Sequence, residues 1–155
     1  VDTPQNLYDM PINLFVAGFI GTPQMNFVEC ELEEDHGDMF LNFGNSSIKL
    51  PPEKANNPIL KDYVGKEVIM GVRPECIHDD QEVIDSMPGS IIECDVEVTE
   101  LMGAEIYLYL VCENQKFTAK VSNRSKARAG DVIKVAIDAS KIHLFDKDTE
   151  RFIIH

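Results

Sequence analysis

Gly65-Lys66 is the one Gly-Lys pair in the chain, the dipeptide on which a phosphate-cradling loop ends. Such a loop needs Gly, four residues, then Gly-Lys-Ser/Thr, because backbone amides wrap the phosphates while the lysine neutralises them. Glu67 follows Lys66, and no glycine lies between Gly44 and Gly65. That chemistry cannot be built here. Cys76 and His78 stand two apart and would share a face of a strand, but the sequence names no third or fourth metal ligand beside them. No serine sits in a Gly-x-Ser-x-Gly elbow, so nothing suggests a hydrolase. The carboxylates alternate outward along apolar strands, as solvated faces do, and no glycosidase pair can be picked from them. No catalytic, cofactor-binding or metal residue is assigned.

Two polar clusters deserve weighing. Arg73-Pro74-Glu75 is the tightest polar motif. Arg73 and Glu75 are candidates for contact with another domain or a second subunit. The plainer reading is a strand end where proline fixes the turn and the arginine ties down carbonyls or a carboxylate. That reading weighs more, because a loop arginine finds many structural partners. Arg124, Lys126 and Arg128 make the basic patch, set in Ser122-Asn123-Arg124-Ser125-Lys126. It could hold a small oxyanion on backbone amides with Ser and Lys groups, or a nucleic acid. Against the latter, the loop has no aromatic on which a base could stack, and a solvated loop is the simpler expectation.

Stepping out to the elements, the period-two alternation predicts half-buried strands after Pro23. Val28, Cys30 and Leu32 face in while Glu29, Glu31 and Glu33 face out. Residues 39–43 return from a turn at 34–38, and 47–50 follow as a third strand. Residues 51–58 read as loop, 60–63 as one helical turn, 67–72 as a strand that stops at Pro74, and 79–89 as an acidic loop. Further strands are expected at 91–100, 105–113, 117–121 and 131–137, with a closing hairpin from 142–145 and 151–154. His143 is expected on a strand surface. Many short strands without a helical crossover argue for an antiparallel β barrel or sandwich.

Composition narrows the function classes. The formal charge of −13 repels phosphate backbones, whose binding needs Lys and Arg to release counterions. Nucleic acid is excluded as an expected partner, and so is a bare anionic membrane surface. No apolar run approaches the roughly 20 residues that span a bilayer, so no direct membrane insertion is expected. None of Cys30, Cys76, Cys94 and Cys112 lies in a C-x-x-C pair. Cys30, Cys94 and Cys112 share the apolar face of their strands, so they read as reduced core thiols of a cytosolic protein.

The N-terminal stretch is different in kind. Thr3-Pro4 starts a short helix over 5–10, and Asn13 caps a second over 13–20 that Gly21-Thr22-Pro23 ends. Leu14, Phe15, Val16, Phe19 and Ile20 cover this helix nearly all round, so it must be buried. Phe15 and Phe19, one turn apart, would each gain roughly 1.5–3 kcal/mol on full burial. Little stands before the helix for it to pack on, so a preceding domain is expected.

Residues 13–27, reading FVAGFIG-T-P-Q-MNF from Phe15, resemble the junction in ATPase subunits of sugar-importing ABC transporters of the maltose and multiple-sugar type. The likeness begins at Asp2-Thr3-Pro4 with Tyr8 and Pro11, similar to the family's G-T-P-x-x-x-Y-x-x-P, with Asp2 in place of its glycine. It continues at Gly71-Val72-Arg73-Pro74-Glu75, similar to G-I-R-P-E, although Cys76 departs from the residue often found next. It returns at residues 100–105 and closes at Ile142-His143-Leu144-Phe145-Asp146. The resemblance implies a mainly β, tandem OB-like antiparallel barrel of the molybdate-module (TOBE) type, preceded by two short α-helices. It divides the chain into 1–21, left from the ATPase domain, and 22–155, the regulatory barrel. With no Leu-Ser-Gly-Gly signature and no phosphate loop, this piece is expected not to be an enzyme. The implied role is to regulate and dimerise the ATP-binding subunit of a carbohydrate importer, with a small-oxyanion or sugar-sensing module as the alternative. Implied partners are a second copy, its own ATPase domain, the permease subunits and an inhibitory regulatory protein. No cofactor is implied, and the place is cytoplasmic, peripheral to the membrane. Leu14, Phe15, Phe19 and Ile20 are the candidates for interdomain packing, with Arg73 and Glu75 beside them.

Overall fold

A computed structural model describes residues 25–154. The two helices expected over 5–10 and 13–20, the boundary at residue 21, and Leu14, Phe15, Phe19 and Ile20 lie outside the described residues. Within them the chain is mainly β, in two antiparallel sheets. The first half supplies β1 (Asn26–Asp35), β2 (Asp38–Phe43), β3 (Ser46–Lys49) and β4 (Glu67–Val72). The second supplies β5 (Ile77–His78), β6 (Ile91–Met102), β7 (Glu105–Cys112), β8 (Gln115–Ser122) and β9 (Val132–Ile137). The chain then returns to the first sheet as β10 (His143–Asp146) and β11 (Phe152–Ile154). Strand order is β11-β10-β4-β1-β2-β3 in one sheet and β5-β9-β6-β7-β8 in the other.

Local chemistry sets these pairings. Along β1, Val28, Cys30 and Leu32 are buried while Glu29 and Glu31 are exposed, as the alternation requires. His36 and Gly37 join β1 to β2 with φ of 54° and 86°, and Glu113 and Asn114 join β7 to β8 with φ of 53° and 63°. Positive φ at both central residues gives a two-residue turn whose twist matches that of the flanking strands. Leu108, Leu110 and Cys112 face inward from β7, and Tyr107 and Tyr109 lie on its other face, half-buried. A single apolar core takes side chains from both sheets, including Val28, Leu41, Met70, Leu108, Phe117, Ile137 and Leu144.

Side chains draw the two sheets toward closure. Asn26 at the start of β1 donates through Nδ2 to the Thr118 carbonyl (2.8 Å) and accepts at Oδ1 from the Thr118 amide (2.7 Å). Gln115 does the same on Glu29, accepting from its amide (2.9 Å) and donating to its carbonyl (2.8 Å). These two amides stand in for the missing β1–β8 ladder, so the body is a nearly closed barrel.

Three readings need correction. Residues 52–55 and 81–86, expected as loop, form short helices α1 (Pro52–Ala55) and α2 (Gln81–Ser86). Pro52 suits a first helical position because its missing N–H has no partner there anyway. Asp80 caps α2 by accepting from the Glu82 amide (3.1 Å). Ile77–His78 adds a strand paired with Ala136 and Ile137 of β9. His143, expected on a strand surface, is only 8% exposed. It sits opposite Gly71 on β4, on a strand flanked on both sides by others of the sheet.

Candidate functional site

The chain passes between the sheets twice, and the two passages touch. After β4, Arg73 leads into a 3-10 turn (Pro74–Cys76) that delivers β5, with Pro74 buried at its first position. After β9, Asp138 leads into a second turn (Ala139–Lys141) that delivers β10; the Asp138 side chain accepts from the Ser140 amide (3.1 Å). The Asp138 amide donates to the Cys76 carbonyl (2.9 Å), fastening one passage to the other. Arg73 and Glu75 therefore sit at the first of the two joined passages between the sheets. Arg73 is nearly enclosed and Glu75 half-buried, and β8 packs against their turn.

A second feature is the outward face of the six-stranded sheet. Val68, Met70 and Val72 of β4 point into the common core, so Ile69 and Gly71 point the other way. Across the ladder Ile69 lies opposite Phe145 on one side and Glu29 on the other, and Gly71 lies between Phe27 and His143. Met25, Ile69 and Phe145 form a separate apolar cluster, with Phe27 and Phe152 against it. The Phe145 ring meets Phe27 edge-on at 6.1 Å and Phe152 at 6.4 Å, geometries favoured by the ring quadrupoles. A Cβ on Gly71 would come within 2.7 Å of Met25 Sδ and 3.0 Å of Phe145, so glycine is what permits this packing.

Sequence reasoning placed no site on this face, yet a signal was present. Val68-Ile69-Met70 and Leu144-Phe145 are unbroken apolar runs rather than alternating ones, which marks a strand covered on both faces.

The basic loop turns much of its polar capacity inward. Asp79 Oδ2 accepts from Ser125 Oγ (2.5 Å), and Ser125 Oγ accepts from the Ala127 amide (3.2 Å). Arg128 Nη1 donates to the carbonyl of Ala127 (2.9 Å), and the Arg128 amide donates to Asp131 (2.9 Å). A cleft of about 650 Å³ here is lined by Asp79, Asp80, Ser122, Arg124, Ser125 and Lys126, so two carboxylates would face any anion that entered.

Asp146, the last residue of β10, organises the closing hairpin. It accepts from the amides of Asp148 and Thr149 (both 2.9 Å) and from the Tyr63 hydroxyl (2.8 Å). The Thr149 amide first, and then the Tyr63 hydroxyl, hold its carboxyl below the ordinary range. The thiols are chemically quiet. Burial pushes Cys30 up to about 12 and Cys76 to about 11, and it raises Cys94 and Cys112 as well. Thiolate, the reactive form, is thereby suppressed. No helix among the described residues is long and apolar enough to cross a membrane.

Comparison with known proteins aligns with these halves. The MalK OB fold domain matches residues 21–77 and the TOBE domain matches residues 70–145, overlapping where the chain first crosses between the sheets. The oligosaccharides import ATP-binding protein MsmX of Bacillus subtilis is 41% identical over 150 residues, covering 97% of this chain and 40% of MsmX. The trehalose/maltose import ATP-binding protein MalK of Thermococcus litoralis is 38% identical over 154 residues, 99% of this chain and 41% of that protein. The multiple sugar-binding transport ATP-binding protein MsmK of Streptococcus mutans is 34% identical over 153 residues, 99% of this chain and 40% of MsmK. The chain thus spans about 40% of the length of these relatives. A solved structure of the cytoplasmic molybdate-binding protein ModG superposes with a TM-score of 0.56 at 19% identity, over 81% of this chain and 96% of that one. At that identity the likeness is one of fold.

Proposed function

Since this chain carries the MalK-type OB fold and the TOBE domain of sugar-importer ABC ATP-binding subunits, we propose that it is the regulatory and dimer-holding part of such a subunit. In this reading it hydrolyses no ATP itself. It keeps two ATP-binding subunits together while their nucleotide-binding halves open and close, a hinge built on a constant interface. Its partners are a second copy, its own ATPase domain, the permease subunits and an inhibitory regulatory protein, at the cytoplasmic side of the membrane.

The single observation that carries the reading is that a chain whose two sheets share a core is related over nearly its whole length to ATP-binding subunits. The hydrogen bond from the Asp138 amide to the Cys76 carbonyl joins the two passages between the sheets, and that supports a holding role. Apolar surface for pairing is available at the end of β6. The β6–β9 ladder ends at Asp95 opposite Val132, Val96 still exchanges backbone hydrogen bonds with Gly130 and Asp131, and past it Val98, Leu101 and Met102, paired with β7, are exposed. Leu14, Phe15, Phe19 and Ile20 serve interdomain packing in the same reading, and Arg73 and Glu75 are its candidates at the crossing between the sheets.

A chimera tests it. The chain replaces the corresponding C-terminal part of the B. subtilis MsmX protein, and assembly and import are measured. The reading expects both to be supported. A soluble chimera that assembles with permease subunits no better than the ATPase domain alone contradicts it. Titration calorimetry with molybdate, sulfate, phosphate and maltodextrins examines the sensing alternative, and a stoichiometric site would favour that reading instead.

A further inference from the structure

Cys94 and Cys112 face each other across neighbouring strands. Asp95 pairs with Val111 in the β6–β7 ladder, so the next rung back sets Cys94 against Cys112. Val96 spends its N–H and C=O on Asp131 and Gly130 (both 2.8 Å). Cys94, two residues earlier, turns its own backbone the same way, toward β9, where it lies opposite Ile133. Toward β7 it therefore makes a non-hydrogen-bonded pair, the closer of the two antiparallel kinds, with α-carbons about 4.5 Å apart. A disulfide accepts roughly 4.4–6.8 Å. The side chains point the same way: the Cys94 thiol donates to Cys112 Sγ, and Ser46 Oγ lies 3.3 Å from that sulfur. Cys30, by contrast, gives its thiol to the Val28 carbonyl (3.6 Å).

The two thiols are not equivalent. Burial raises both, but the Ser46 hydroxyl and the Cys94 thiol pull Cys112 back toward thiolate. Cys112 also borders the exposed turn at Glu113 and Asn114, whereas Cys94 is 1% exposed inside β6. Cys112 is the sulfur that a reagent meets first. Burial keeps each thiol slow, and the pairing decides where an oxidation ends.

We propose that Cys94 and Cys112 are a cross-strand disulfide site, closed by exchange with a small-molecule disulfide such as oxidised glutathione. The Cys112 thiolate attacks one sulfur of that disulfide, its S–S bond breaks, and the first glutathione thiolate leaves. Cys94 then gives up its proton and attacks the Cys112 sulfur, displacing the second glutathione. The chain loses two electrons and two protons, and the reagent departs as two glutathione thiols. The new bond staples β6 to β7 just before the exposed stretch with Val98, Leu101 and Met102, so the root of that hairpin is held covalently. This chemistry is independent of the holding role proposed above.

The test is disulfide mapping on the 155-residue chain. It is equilibrated with oxidised glutathione, folded or in urea, then alkylated with N-ethylmaleimide and cut after glutamate. That cleavage separates all four cysteines, leaving Cys94 in 94–97 and Cys112 in 106–113. The folded chain should yield these two peptides joined, two hydrogens short of their summed mass, with Cys30 and Cys76 alkylated. The unfolded chain should spread its oxidation over several pairings and glutathione adducts. Four alkylated cysteines in the folded chain overturn the proposal, and so does glutathione left on Cys94 or Cys112 without a bond between them. A folded chain that scrambles as the unfolded one does overturns it too, because the strand register then directs nothing.

Discussion

At the residue scale, Gly71 and Asp146 each hold something a neighbour could not. Gly71 leaves room for Met25 and Phe145 to meet over β4, and a larger residue there must push them apart. Overpacking of that sort costs about 1–3 kcal/mol. Gly71→Val should lose stability in that range by urea unfolding, and Gly71→Ala less, because the nearest atom is the flexible end of Met25. Asp146 acts through its charged form. Its amide and hydroxyl donors hold the folded carboxyl below its unfolded value, so its contribution is present above the ordinary carboxylate range and fades as pH falls through the folded value. The stability gap between the wild type and Asp146→Asn should therefore be widest near neutrality and close below about pH 3.9. A gap that is constant with pH would assign the residue a role independent of its charge.

At the element scale, the Asn26 amide does the work of two ladder bonds between β1 and β8. Asn26→Ala leaves the Thr118 N–H and C=O without their partner, which costs about 1–3 kcal/mol for a buried group. Chemical denaturation should show that loss, and hydrogen exchange should quicken at Thr118. Nothing in the sequence announces this clamp, because its partners stand 92 residues apart and Asn has no strand preference. The strands themselves were legible. Glu-Cys-Glu-Leu in β1 and Glu-Cys-Asp-Val in β6 show which face is buried, and positions such as Cys30 and Cys94 follow. Helices α1 and α2 were not, since four and six residues are too short for a helical period to repeat. The apolar candidates at 14–20 could be recognised as sticky from their types alone. Where they pack lies outside the described residues. His143 was misread because the exposure of a strand residue depends on what covers its face of the sheet, which alternation alone does not show.

At the scale of the whole molecule, two sheets share one core, and both passages between them are fastened at Cys76 and Asp138. Its acidity argues against nucleic acid, and its sequence relatives are ATP-binding subunits of sugar importers. The account therefore stands on pairing. The exposed end of β6 offers Leu101 at 71% exposure, and placing a charge there should weaken association if that strand forms the contact. The decisive measurement is the mass in solution by light scattering over a hundred-fold dilution, for the wild type and Leu101→Glu. A holding domain predicts a dimer that survives dilution in the wild type and dissociates in the variant. A wild-type chain that is monomeric at every concentration contradicts it.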